Sequence, residues 1–273
     1  VYIAIGAHID RKIGIEGEDA KGVISAVEML RGIGDDEMPD FTGKDIVVIG
    51  GGNVAMDVAR SAIRLGAKSL KIAYRRRAVD MTAMPEEVEG AIEEGCELLD
   101  LHSPLRIEKD KDGNGAALWV QPQIIGPIKN GRAAPVDSKQ GEVRLACDMV
   151  IVAIGQGIES KAFEKFVVPV KRGVIDALNW SGVNTKDLTG IFAGGDCVTG
   201  PATVIRAIAA GKVAAANIDE FLGYNHVIST DVKIPEVRLD DRISCARVNM
   251  KERNPSERAK DFNMIECCMT KEE

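Results

Sequence analysis

The six cysteines, at positions 96, 147, 197, 245, 267 and 268, include no C-x-x-C pair. That pattern argues against both a zinc site and a thioredoxin-like redox centre. The cysteines are expected to be reduced thiols of a cytosolic protein. The adjacent Cys267 and Cys268 cannot chelate as a C-x-x-C would, and Cys197, without a partner nearby in sequence, is expected to be a small buried residue. The three histidines, His8, His102 and His226, are isolated, so no metal site is expected. No apolar run is long enough to span a membrane, and no signal-peptide pattern is visible. Acidic residues outnumber basic ones, 42 to 35, for a net charge of −7. That balance argues against general nucleic-acid binding. The chain also lacks an initiator Met. It opens on VYIAIGA, expected to be a buried strand ending in glycine, much like the later MVIVAIG at 149–155. It is therefore expected to begin inside a larger protein.

What is present is an ordinary globular composition, 45% hydrophobic and 28% charged over 273 residues, sufficient for two domains. The most informative stretch is KDIVVIGGGNVAMDVARSAIRLGAKSLKIAYRRR, Lys44 to Arg77. Ile46–Ile49 is a short β-branched run, and three glycines follow at once. Val54, Ala55, Val58, Ala59, Ala62, Ile63 and Leu65 then recur at helical spacing. Gly66 closes the helix, and Leu70–Tyr74 reads as a second strand. The pattern Gly50-x-Gly52-x-x-Ala55 in this context is a dinucleotide fingerprint. Gly50 permits the tight turn. Gly52 lets a pyrophosphate approach the backbone, and Ala55 lets helix and strand pack closely. The amides around Gly52, Asn53 and Val54 lie at a helix N-terminus, which favours an anion.

The end of the second strand bears on which nucleotide is bound. An NAD site usually carries an acid there, accepting from the ribose 2′-OH. Here the residues are Arg75, Arg76 and Arg77, with no carboxylate before Asp80. Guanidiniums suit a 2′-phosphate, which predicts NADPH. The plainer alternative is a solvated basic turn.

Residues 8–42 read as a connector, with Val23–Leu30 a short helix and 32–42 a hinge. Met84-Pro85-Glu86-Glu87 opens a helix that Gly95 ends. From Glu97 to Val150, strand-like segments alternate with Gly/Asn/Asp turns, predicting an antiparallel β insert. A second informative stretch, GIFAGGDCVTGPATVIRAIAAGKVAAA, covers Gly190 to Ala216. Ile191–Ala193 reads as a short strand and Gly194-Gly195-Asp196 as a sharp turn. An alanine-rich helix begins near Thr203. Asp196 could accept from a sugar-like hydroxyl, and the amides at Thr203 and Val204 could stabilise negative charge on a reduced flavin. The alternative is a turn followed by a tightly packed alanine helix.

GGGNVAMD, YRRR, the MPEEVEGAIEEG run, AIGQG at 153–157 and GIFAGGDCVTGPATVIRAIAAGK occur in one order. Together they resemble the two-dinucleotide-binding-domain flavoprotein reductases, and more narrowly the glutamate synthase small (β) subunit family. The resemblance runs from Val1 to about Leu222 and implies an α/β fold of two Rossmann-like, three-layer domains. The NADPH domain, 43–154, would be inserted in an incomplete FAD domain made of 1–42 and 155–228, with a polar tail at 229–273. It implies that Gly50, Gly52, Asn53 and Val54 hold the NADPH pyrophosphate, and Arg75, Arg76 and Arg77 its 2′-phosphate. Gly195, Asp196, Thr203 and Val204 would contact FAD, and Gly6 and Gly155 would mark the strands crossing between domains.

The family's first FAD motif, an N-terminal G-x-G-x-x-G, is missing, as are its upstream cysteine ligands for iron–sulfur clusters. Those clusters are expected in a partner domain or a large catalytic subunit, and FAD is expected to be held weakly by this chain alone. The implied reaction, hydride transfer from NADPH to FAD, needs orientation and exclusion of water rather than an acid or base, so no catalytic side chain is named. Two other functions stay open: a non-catalytic NADPH-binding module and an NADPH-dependent disulfide reductase. The tail is expected to lie extended over the protein or a partner.

Overall fold

The computed structural model describes residues 1–129, 131–183, 189–227, 232, 233, 235, 236, 246 and 248–271. Two compact units divide the chain. One is formed by Val1–Ile9 with Gln156–Val248, the other by Asp10–Gly155 with Asn249–Glu273.

The chain starts with β1 (Tyr2–Ile3) and β2 (Ile9–Asp10). The opening stretch is less strand-like than its composition predicts. β1 is two residues long, pairs in parallel with Phe192–Ala193, and leaves Val1 and Tyr2 exposed.

The larger unit is built on a parallel sheet. β3 (Val23–Ser25), β4 (Asp45–Ile49), β5 (Ser69–Ala73), β6 (Glu97–Leu99) and a later strand, β11 (Met149–Val152), stand in the order β3-β11-β4-β5-β6. Helices α1 (Ala26–Gly34), α2 (Asn53–Arg64) and α3 (Pro85–Glu93) intervene. Between β6 and β11 the chain makes an antiparallel sheet of β7 (His102–Lys109), β8 (Gly115–Lys129), β9 (Arg132–Asp137) and β10 (Val143–Ala146), with β8 paired to all three others.

Strand alternation sorts the core into two layers. Ile46, Val48, Leu70, Ile72 and Ile151 pack against Ala55, Val58, Ala59 and Ala62 of α2. Val47, Ile49, Ala73, Val150 and Val152 pack with Ile107, Leu118, Val120 and Leu145 of the antiparallel sheet. A sheet covered on both faces explains why β4 reads as a continuous apolar run.

One difference concerns residues 8–42, read above as connector, of which those from Asp10 on belong to the larger unit. Within the larger unit, Val23–Ser25 forms an edge strand paired with β11 instead of the start of a helix. Its β-branched residues suit a strand, and the helix starts only after Ser25, whose hydroxyl accepts the Glu28 amide as an N-cap. α1 then buries Ala26 and Met29 in the helix-side core.

The smaller unit resumes with β12 (Gln156–Gly157), α4 (Lys161–Glu164), β13 (Val170–Lys171), β14 (Val174–Ile175), β15 (Phe192–Ala193), α5 (Asp196–Thr199) and α6 (Val204–Phe221). Its core gathers Ile3, Val168, Ile175, Val183, Ala193 and Cys197. Of the tail, Ser229 and Cys245 lie outside the described residues. Residues 249–271 lie against the larger unit rather than running fully extended. They carry α7 (Pro255–Arg258) and bond to α2 and α3, with Arg64 Nε donating to the Arg258 carbonyl and Arg258 Nη2 to Glu93. No helix among the described residues is long and apolar enough to cross a membrane.

Candidate functional site

The three glycines after β4 do three different jobs. Gly50 has φ +151°, and a Cβ on it would lie 2.3 Å from the Ala153 carbonyl oxygen. A Cβ on Gly51 would lie 2.5 Å from the Tyr74 ring. The fold itself therefore demands glycine at these two positions. Gly52 differs. Its φ of −103° is open to any residue, and a Cβ there would meet nothing nearer than the Thr82 hydroxyl at 3.4 Å. Packing leaves the space over Gly52 free for a ligand.

α2 starts at Asn53 with Gly52 as its N-cap, without a side-chain acceptor and without an acid in its first turn. Its leading amides, those of Asn53 and Val54, thus present the positive end of a twelve-residue helix. A glycine with free space above it, at such a helix start, fits a pyrophosphate. The Asn53 side chain serves the architecture, since its Oδ1 accepts the Met84 amide at 2.9 Å.

Residues 80–84 form a strap across this turn. The Thr82 and Ala83 amides donate to the Gly51 carbonyl at 3.0 and 3.1 Å. Tyr74 Oη donates to the Asp80 carbonyl at 2.9 Å. The strap was not legible in the sequence. The only signal for it is Arg77 standing three residues before Asp80.

The arginines following β5 are not equivalent. Arg75 is exposed. Arg76 is half-buried, and its Nε is buried without a hydrogen-bond partner among the described residues. Arg77 is held by Asp80 through two parallel bonds, Nε to Oδ2 at 2.7 Å and Nη2 to Oδ1 at 2.9 Å. The guanidinium in turn pulls the Asp80 carboxyl below its usual range. Arg76, Arg77 and Asp80 face one small crevice, walled by Leu101, Ile124 and Pro135. The β8–β9 hairpin, which supplies Ile124 and Pro135 of this wall, is a second contribution missed at the level of sequence. So is Asp100, which accepts the Ala78 amide at 3.0 Å.

In the smaller unit, Gly195 has φ +76° and caps α5. A Cβ on the neighbouring Gly194 would lie 2.4 Å from the Tyr2 hydroxyl. Asp196 Oδ1 accepts the Ala202 amide at 3.2 Å. The Thr203 hydroxyl caps α6 by accepting the Arg206 amide. α6 is not the tightly packed alanine helix of the plainer reading: Ala214 is its one buried residue, and Val204 is 75% exposed. Cys197 is buried beside the carbonyls of Ile3 and Gly194, and burial pushes its thiol pKa up.

The structure thus gathers Gly50, Gly52, Asn53 and Val54 at one turn in the larger unit, with Arg75, Arg76 and Arg77 following the neighbouring strand. Gly195, Asp196, Thr203 and Val204 lie in the smaller unit. Gly6, with φ +66°, follows β1 in the smaller unit, and Gly155, with φ +111°, closes the run after β11 in the larger one.

A family model described as pyridine nucleotide-disulphide oxidoreductase matches residues 1–211. Among curated proteins, the chain is 38% identical over 226 residues to the NADP(+)-dependent formate dehydrogenase subunit beta of Moorella thermoacetica, a match covering 81% of this chain and 31% of that protein. It is 32% identical over 268 residues to the NADPH-Fe(3+) oxidoreductase subunit beta of Geobacter sulfurreducens, with 86% and 38% covered. It is 33% identical over 244 residues to the glutamate synthase [NADPH] small chain of Escherichia coli, with 81% and 50% covered. The chain therefore spans about a third to a half of the length of these relatives. Among solved structures, FprA of Mycobacterium tuberculosis in complex with NADPH superposes with a TM-score of 0.64 at 20% identity, covering 82% of this chain and 63% of that one. Thioredoxin reductase of T. acidophilum gives 0.62 at 18%, with 81% and 64% covered. These two likenesses bear on the fold, which is that of two-domain dinucleotide-binding proteins.

Proposed function

The chain is a member of the pyridine nucleotide-disulphide oxidoreductase family, and on that premise we propose that it is the NADPH-binding module of a flavoprotein oxidoreductase of the glutamate synthase small-subunit type. Its chemistry is hydride transfer from a nicotinamide to FAD, with electrons leaving singly to iron–sulfur centres of a partner subunit or domain.

The observation that carries this reading is the pairing of an open Gly52 at the start of α2 with arginines after the adjacent strand. Gly52 and the amides of Asn53 and Val54 hold a pyrophosphate. Arg75 and Arg76 hold a 2′-phosphate, because their guanidiniums have no carboxylate bonded to them among the described residues, whereas Arg77 has one. Gly195, Asp196, Thr203 and Val204 contribute to a flavin site, which the chain supplies only in part: Gly50-x-Gly52-x-x-Ala55 has no second counterpart in the 273 residues. The partner is supported by the relatives, two of which are beta subunits and one a small chain.

The test is a titration with NADPH and NADH. NADPH binds more tightly to the unmodified protein. Changing both Arg75 and Arg76 to Ala weakens NADPH by about 2–4 kcal/mol, the loss of charge-assisted bonds, and leaves NADH nearly unchanged. Equal affinity for the two nucleotides would overturn the reading.

A further inference from the structure

Arg77 is the third arginine after β5, and its guanidinium is already engaged. Its Nε and Nη2 both donate to Asp80, in the fork geometry that a guanidinium uses on a phosphate. The Asp80 side chain is 12% exposed and that of Arg77 38%, so the carboxylate is tucked in while the guanidinium keeps a face toward solvent. The same carboxylate shares the crevice with Arg76, whose buried Nε lacks a hydrogen-bond partner among the described residues. Arg132 of β9 lies within electrostatic reach of Asp80 as well. Counted by charge, Asp80 cancels one cation at the place where the cofactor would bring a dianion.

We propose that Asp80 is a nucleotide-specificity residue: it stands in for the 2′-phosphate on Arg77 and so sets how strongly the protein prefers the phosphorylated nucleotide. This rests on the NADPH reading above and deepens it. Two effects act together. With Asp80 present, the Arg77 charge is offset and its Nε/Nη2 fork is occupied. With Asp80 neutralised, both are released. NADH lacks the 2′-phosphate, so its affinity is indifferent to the exchange. The strap does not depend on the carboxylate alone. Tyr74 bonds the Asp80 carbonyl, Thr82 and Ala83 bond Gly51, and Met84 bonds Asn53.

Four proteins test the proposal: unmodified, Asp80→Asn, Arg77→Ala and the double variant. Each is titrated with NADPH and NADH after circular dichroism establishes a native fold. Asp80→Asn is expected to tighten NADPH about tenfold, the worth of one charge-assisted contact, with NADH changed less than about twofold. Arg77→Ala leaves Asp80 uncovered and weakens NADPH. The double variant returns NADPH to near the unmodified affinity, because the gain runs through Arg77. An Asp80→Asn protein that binds NADPH no better, or worse, overturns the proposal and makes the ion pair a fastener of the strap. A gain that persists in the double variant overturns it too. The broader NADPH reading fails separately, through Arg75 and Arg76: if their loss leaves NADPH binding intact while Asp80→Asn still tightens NADPH alone, the role of Asp80 stands and the assignment of the other two arginines falls.

Discussion

Glu94, at the end of α3, is fully buried against Arg258 as an ion pair, its carboxylate 2.9 Å from a guanidinium Nε that makes no hydrogen bond among the described residues. The same carboxylate takes bonds from Arg60 at 2.6 Å and Arg64 at 2.7 Å. Three arginines thus converge on one buried acid, and Glu87, Glu93 and Glu252 ring them at the rim. This cluster ties residues 249–271 to α2 and α3 of the larger unit.

Breaking such a cluster is expensive because it strands charge away from water. Arg258→Ala is expected to destabilise the larger unit by about 3–5 kcal/mol, the range for removing one partner of a buried pair. Glu94→Gln should cost at least as much, since it leaves three guanidiniums facing one another. Urea unfolding followed by circular dichroism measures both. A loss below about 1 kcal/mol for either variant would mean that the cluster is solvated in solution.

The glycine turn makes a prediction in two halves. Gly51→Ala drives a methyl into the Tyr74 ring and is expected to cost stability, about 1–3 kcal/mol. Gly52→Val leaves the fold intact, because its neighbourhood is open, and abolishes nucleotide binding by filling the space of the pyrophosphate. Thermal melts and a nucleotide titration separate the two. Normal NADPH binding by a folded Gly52→Val protein would show that the fingerprint has been misplaced.

Thiol reactivity should sort by burial. Burial pushes Cys96 up to about 12 and Cys147 up to about 11, so at pH 8 only about one molecule in a thousand or fewer carries either thiolate. Cys267 and Cys268 are exposed. A brief iodoacetamide pulse followed by peptide mass spectrometry should label Cys267 and Cys268 well before Cys96 and Cys147. Early labelling of Cys96 would contradict the packing of α2 against α3.

The acid limb of stability has an identifiable contributor. Hydrogen bonds from Arg144 and Trp119 hold the Glu108 carboxyl down at about 2. A folded-state pKa below the unfolded value, about 4.3, stabilises the protein fully above that unfolded value. The stabilisation is lost as pH falls toward 2. Unfolding midpoints in urea at pH 5 and pH 3 should therefore drop further for the unmodified protein than for Glu108→Gln. Parallel pH dependence in the two proteins would remove Glu108 from the account.

Much of the larger unit was legible in local sequence because it rests on local rules. β4, α2 and β5 follow from an apolar run, a glycine cluster and helical spacing, and each lies within a residue or two of its expected place. α3 follows from Pro85 and the acids after it, and the antiparallel insert from its turn residues. Val23–Ser25 was misread because three residues cannot declare themselves an edge strand. Only pairing with β11, more than a hundred residues later, makes them one. The opening VYIAIGA looks like a core strand by composition, yet only Tyr2 and Ile3 pair, since among the described residues β1 has a single neighbour, β15.

The sequence by itself determined the dinucleotide fingerprint, the arginines after the second strand and the absence of a C-x-x-C, since each is a matter of residue type at fixed spacing. Tertiary structure alone decided which of those residues are free to act. Gly50 and Gly51 are consumed by packing against Ala153 and Tyr74 while Gly52 is not. Arg77 is neutralised by Asp80 while the Arg75 and Arg76 guanidiniums bond no described carboxylate. Arg258 reaches a buried acid that no spacing rule connects to it. Availability depends on what a folded chain brings within a few ångströms, and contacts between distant positions leave no periodicity to read.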